Sequence, residues 1–137
     1  MKKVIAIVVA CMLISTSAFA HVMNRNNAFE DLALTEAADE IVILSALGIV
    51  SYLDNGFAFK PTMTLTAKDL AAWVAMYNGL QAETSDELAK AALEAELVST
   101  IEGDATYALV NDAYFHGKLT LETPEQTMTR EQFALFV

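Results

Sequence analysis

The chain has 137 residues, with 8 Lys+Arg against 18 Asp+Glu, a formal net charge of −10 and a single cysteine. That acidity excludes functions that need a basic patch, nucleic-acid binding and attachment to anionic membrane surfaces among them. The length allows one ordinary domain, or two small repeats sharing a core.

The first element is a leader. Lys2 and Lys3 precede an apolar run from Val4 to Ile14, and Ala18-Phe19-Ala20 places small residues where a signal peptidase reads. This order predicts a secretory signal peptide over 1–20, and its apolar run is too short to cross a bilayer as a helix. Val8-Val9-Ala10-Cys11 loosely fits a lipoprotein cleavage box. It would leave Met12-Leu13-Ile14 after the lipidated cysteine, where polar residues are expected. The mature chain is therefore expected to begin at His21, with a flexible stretch over 21–28 and a secreted or cell-envelope location. Removing the leader takes Lys2 and Lys3 from the 8 cations, so 6 face 18 acids, a balance of −12. It also removes Cys11, the only cysteine, so the mature domain relies on packing rather than disulfides. No later segment is long and apolar enough to span a membrane.

Helical periodicity runs through the rest. Ala37, Ile41, Leu44 and Gly48 trace one face from 36 onward, with Thr35 available as N-cap. Leu70, Trp73, Val74 and Tyr77 give an apolar stripe within 66–78, and Leu88, Ala91, Ala92 and Ala95 repeat that spacing within 86–99. The segment 104–116 is less regular, and a last helix opens at 129 with Phe133, Phe136 and Val137 on one side. Gly48, Gly79, Gly103 and Gly117 each fall just past one of these stretches, where a left-handed C-cap residue is wanted. Asn55-Gly56 signals a tight turn in the loop between.

The chain also repeats itself. Pro61 precedes Thr66 by the same interval as Pro124 precedes Thr129, and Asp69 and Gln132 follow those threonines three residues on. That spacing approximates a capping box, better satisfied by Gln132 than by the shorter Asp69. The expected organisation is mainly α: paired helix-loop-helix units over 29–80 and 104–137, with a connecting helix in 81–103. Units of this kind cannot bury their apolar faces alone and should pack on each other.

Phe29-Glu30-Asp31, Leu47-Gly48-Ile49-Val50, the loop Asp54-Asn55-Gly56-Phe57-Ala58-Phe59-Lys60-Pro61 and Leu65-Thr66-Ala67-Lys68-Asp69 follow one another in order. In that order and spacing, Phe29 to Leu80 resembles an S-layer homology repeat. The second unit resembles a degenerate copy, ending in Met128-Thr129-Arg130-Glu131. The resemblance implies a non-catalytic module that attaches exported proteins to cell-wall polysaccharide or peptidoglycan-linked polymer. It also implies that the arginine opening the helix contacts an acidic sugar substituent, in a family that usually sets three repeats around an axis. By position Arg130 inherits that role beside Thr129. Ala67 stands where the first unit's arginine should be and Ser51 where its loop glycine should be, and Lys68 offers a point charge without the guanidinium fork. Thr129, Arg130 and Lys68 are thus the candidate ligand contacts.

Other residues suggest little chemistry. Asp69 and Gln132 read as caps, Asp54-Asn55-Gly56 as a turn rather than a calcium loop, and Trp73 and Tyr77 as core. A mature N-terminal His21 with His116 would supply the nitrogens of a copper site, a minor alternative without any supporting motif. No nucleophile elbow or metal cluster emerges, so no enzyme, cofactor or metal is expected. The leading expectation is an exported envelope module that binds wall glycan. The alternative is a structural or protein-interaction module that has lost glycan binding. The apolar end Phe133-Ala134-Leu135-Phe136-Val137 calls for a covering surface, either the first unit, an envelope protein or a further C-terminal domain.

Overall fold

A computed structural model describes residues 28–53 and 56–137. The leader, His21 and residues 21–27 of the expected flexible stretch lie outside the described residues, as do Asp54 and Asn55 of the expected turn. Ala28, placed by sequence at the end of that flexible stretch, is fully buried.

The protein is mainly α. After a 3₁₀ turn at Leu32–Leu34 come five α-helices among the described residues: α1 (Ala38–Ala46), α2 (Ala67–Tyr77), α3 (Ser85–Glu94), α4 (Tyr107–Phe115) and α5 (Arg130–Phe136). Four of them start in one way. Thr66, Thr84, Thr106 and Thr129 take extended backbone at the N-cap, and each hydroxyl accepts from the amide three residues on. This satisfies a helix amide that otherwise has no partner. Thr84 with Glu87, and Thr129 with Gln132, close the reciprocal capping box. Helix α1 is different. It begins at Ala38 behind Ala37, with no side-chain cap, so Thr35 is not its N-cap. Thr35 instead accepts from the Ala37 amide and donates its hydroxyl to the Glu131 carboxylate, tying the start of α1 to α5.

The helix ends correct two further expectations. Gly48 and Gly79 do terminate α1 and α2 with left-handed backbone. Helix α3, however, stops at Glu94 rather than 99, and its left-handed cap is Glu96 (φ 56°), with the Leu97 amide donating to Ala92. The chain breaks there because Leu97 and Val98 turn inward against the core. Gly103 is consequently a loop residue, and α4 ends on left-handed His116, one residue before Gly117.

Three short segments close a ring at the centre. Thr64 bridges Thr129, Thr66 bridges Asp104, and Thr106 bridges Thr127, each pair antiparallel. The hydrogen bonds follow the same cycle. The first amide of α2 (Ala67) donates to Gly103, that of α4 (Tyr107) to Gln126, and that of α5 (Arg130) to Met63. Each acceptor lies three residues before the next N-cap threonine, so the three helix starts are related by a pseudo-three-fold axis. The prolines have a place in this cycle. Pro61 accepts from Glu131 and Pro124 from Ala108, each five residues ahead of its N-cap. Leu65, Ala105 and Met128, the residues just before the three threonines, are all buried at the axis.

The sequence pattern counted two units and treated 86–99 as a connector. The ring has three helix starts, and α3 is packed along α2 in the most extensive helix contact among the described residues. The large side chains lie beside the ring. Phe59 stacks on Trp73 (5.9 Å between centroids, 3° apart), and Trp73 meets Phe133 at 5.4 Å. All three are buried, each contributing roughly 1.5–3 kcal/mol. Tyr77, expected in the core with Trp73, is instead half-exposed at the end of α2 and touches Tyr114 only at 6.0 Å. The aspartate of the Phe29-Glu30-Asp31 motif has a definite task. Its two carboxylate oxygens accept from the Phe59 and Lys60 amides at 2.8 and 2.7 Å, clamping the loop that leads to Pro61.

Candidate functional site

The pseudo-symmetry puts three different residues at one structural position, the first of each ring helix: Ala67, Tyr107 and Arg130.

Arg130 lies in the protein rather than in solvent. Its guanidinium donates to the Phe59 carbonyl (2.8 Å) and to Asp69 Oδ2 (2.6 Å), and its Cζ sits 5.7 Å from the centre of the Trp73 ring. The side chain is 8% exposed, and its Nε is buried without a partner. The resemblance implied a guanidinium facing a ligand; the fork serves α2 and the 59–61 loop instead. Asp69 explains the change. Its carboxylate is too short to reach back to the Thr66 amide, so the first capping box stays half-closed, with only the Asp69 amide on Thr66 Oγ1 (3.1 Å). The free carboxylate points to Arg130. Thr129 is committed as well, since its hydroxyl accepts from Gln132 and its amide donates to Gln132 Oε1 at 2.9 Å.

Beside the start of α2 an open groove of about 370 Å³ lies against the 101–103 loop, while Ala67 itself is fully buried. Lys68 and Lys90 line it together with Asp86 and Glu102, and Thr66, Ile101 and Gly103 complete the lining. Lys68 pairs with Asp86 at 2.9 Å, but both side chains are about half exposed (48% and 60%). Such a pair is worth at most about 1 kcal/mol and yields easily to a competing anion. Lys90 was not singled out by the sequence. Its signal is faint, one exposed lysine on α3, four residues after Asp86.

At Tyr107 a second groove, about 300 Å³, runs between the start of α4 and the 120–126 loop, and Phe136 joins Tyr107 in its wall. The sequence reading passed over this helix start, although Ala105-Thr106-Tyr107 repeats the apolar-Thr pattern of Leu65-Thr66-Ala67 and Met128-Thr129-Arg130. The three candidate contacts do not converge: Thr129 and Arg130 belong to one helix start and Lys68 to another. A larger cavity, about 470 Å³, lies away from the ring between the end of α3 and α4. Among the described residues no cluster of His, Cys, Asp or Glu could hold a metal, and no helix is long and apolar enough to cross a membrane.

The fold defines a class: a mainly α module with three helix starts around a pseudo-three-fold ring. No protein-family model, curated protein or solved structure matches this chain.

Proposed function

We propose that this chain is an exported, non-catalytic module of the cell envelope that attaches to wall glycan or peptidoglycan-linked polymer through the groove at Lys68 and Lys90. The observation that carries the reading is the groove itself. In a chain with 18 acids, two of its few lysines line one open cleft beside a helix start, where acidic substituents of a polysaccharide find cations and a positive dipole end. The leader pattern and the resemblance to S-layer homology repeats support the same reading, and so does the cyclic arrangement of three helix starts. In this form of the proposal Lys68 binds directly, while Thr129 and Arg130 hold the ring that shapes the cleft.

One observation favours a second reading, a structural or protein-interaction module without glycan binding. The arginine that the resemblance assigns to the ligand is turned inward onto Asp69. Co-sedimentation of residues 21–137 with purified sacculi separates the two. Glycan attachment predicts pelleting that is lost in the Lys68→Ala/Lys90→Ala double variant and on sacculi stripped of secondary polymer. A folded wild type that stays in solution with intact sacculi would leave only the interaction module.

A further inference from the structure

The groove at Tyr107 differs in kind from the one at Lys68 and Lys90. Its aromatic wall is an edge-to-face pair, Tyr107 against Phe136 at 5.0 Å and 89°, and Phe136 is held in turn by Phe115 at 5.9 Å. The same two residues also line a second cavity of about 240 Å³, with Gln132 and a 61% exposed Leu135. Polar groups border the rings. Thr123 donates to Gln126 Oε1 at 3.0 Å, and Gln126, whose amide NH₂ remains a donor, lines the groove. Thr120 adds a hydroxyl and Glu122 a carboxylate. Neither Glu122 nor the Tyr107 hydroxyl has a partner among the described residues. No lysine or arginine lines this groove, in contrast to the one at Lys68.

This is the inventory that a pyranose ring requires. A sugar presents a face of C–H groups to an aromatic ring, and a rim of hydroxyls that both donate and accept. Gln126 supplies a donor, Glu122 an acceptor, and Thr120 and Tyr107 can act as either. The charge selects among sugars. With Glu122 on the rim and no cation in the lining, an anionic residue is repelled and a neutral one is not. We propose that the Tyr107 groove is a stacking subsite for one neutral sugar ring, a reading that rests on the glycan attachment proposed above. The module then grips two features of one polymer: an acidic substituent at Lys68 and Lys90, and a neutral ring at Tyr107.

The test is an NMR titration of uniformly ¹⁵N,¹³C-labelled residues 21–137 with neutral chito-, cello- and manno-oligosaccharides of three and four rings. At least one series should shift Tyr107, Thr123, Gln126 and Phe136 together. Tyr107→Ala should weaken that binding at least tenfold while keeping the dispersed spectrum of a folded chain, and Tyr107→Trp should retain it. Lys68→Ala should leave it unchanged. Absence of shifts with all three series, shifts mapping elsewhere, or a folded Tyr107→Ala that binds as well as wild type would each overturn the subsite. The two proposals fail separately. Sacculus binding that depends on Lys68 but with no neutral-sugar response removes the subsite alone, and a Tyr107-dependent sugar response without sacculus binding removes the Lys68 groove alone.

Discussion

Asp69 and Arg130, 61 residues apart in the sequence, meet at 2.6 Å and join the first turn of α2 to the first turn of α5. Pairing them this way makes a ring contact out of what would otherwise be two ordinary helix-start residues. The guanidinium is over Trp73 and under the Phe59 carbonyl, so the pair is anchored in the aromatic core on one side and the ring on the other.

Removing one partner should therefore act on stability first. Arg130→Ala leaves Asp69 and the Phe59 carbonyl unpaired in a mostly buried site and should lower unfolding free energy by about 3–5 kcal/mol. Arg130→Lys, which keeps the charge without the fork, should lose less. Urea denaturation followed by circular dichroism reads both. A cost below 1 kcal/mol for Arg130→Ala would show that the guanidinium is not a structural tie. The same measurement must accompany any binding assay on this residue, because an unfolded variant also fails to bind.

The capping arrangement makes a second, quantitative prediction. Thr129 and Gln132 hydrogen-bond each other's backbone, whereas Asp69 serves Arg130 and not Thr66. Each threonine-to-alanine change should cost about 1 kcal/mol. Double-mutant cycles should then give a coupling of at least about 0.5 kcal/mol for Thr129 with Gln132, and for Asp69 with Arg130. Thr66 with Asp69 should show little. Strong Thr66–Asp69 coupling would mean that the first box closes in solution.

Glu96 ends α3 with a φ of 56°, a conformation that glycine occupies at Gly48 and Gly79. Left-handed backbone costs a residue with a Cβ roughly 1 kcal/mol. Glu96→Gly should thus stabilise the protein by about 0.5–1 kcal/mol and raise its melting temperature, while Gly79→Ala should lower it. Scanning calorimetry on the pair decides the matter, and a destabilised Glu96→Gly would point to a contact of the Glu96 carboxylate.

Tyr114 provides a pH signature. Its hydroxyl donates to the Ile49 carbonyl at 3.2 Å, and burial, with a smaller contribution from Tyr77, pushes its phenol well above the usual value near 10. A raised folded value means that the native state holds this proton more tightly than the unfolded chain. The associated stability is therefore complete below about pH 10 and falls as the pH rises past it. Tyr114→Phe should lose the hydrogen bond, about 1 kcal/mol, and flatten that alkaline decline. A tyrosinate absorbance titration in which all tyrosines ionise together near pH 10 in the folded protein would contradict the assignment.

Several features could be read from local pattern because their physics is local. Threonine ahead of an apolar stripe marks the starts of α2 and α5, since an N-cap hydroxyl acts on an amide three residues away. Gly48 and Gly79 mark two ends for an equally short-range reason. The core position of Trp73 follows from its place in an i, i+3, i+4 stripe. Where the pattern misled, a distant partner decided. Thr35 was drawn off its expected capping role by Glu131, Gly103 became a ring acceptor for Ala67, and Tyr77 was left outside because α2 ends just as its stripe reaches the surface.

The sequence by itself determined most of the helix-forming segments, the threonine-capped starts of α2 and α5, the spacing of Pro61 and Pro124 and the excess of acid over base. All of these depend on residues within a turn or two of one another, or on simple counting. Only the tertiary structure decided that there are three helix starts in a closed ring and that Arg130 faces Asp69 rather than solvent. It alone also gave Ala67, Tyr107 and Arg130 one shared position with three different surroundings. Ring closure pairs backbone amides with carbonyls tens of residues away, and the direction of a long guanidinium depends on which carboxylate and which ring those pairings bring within reach.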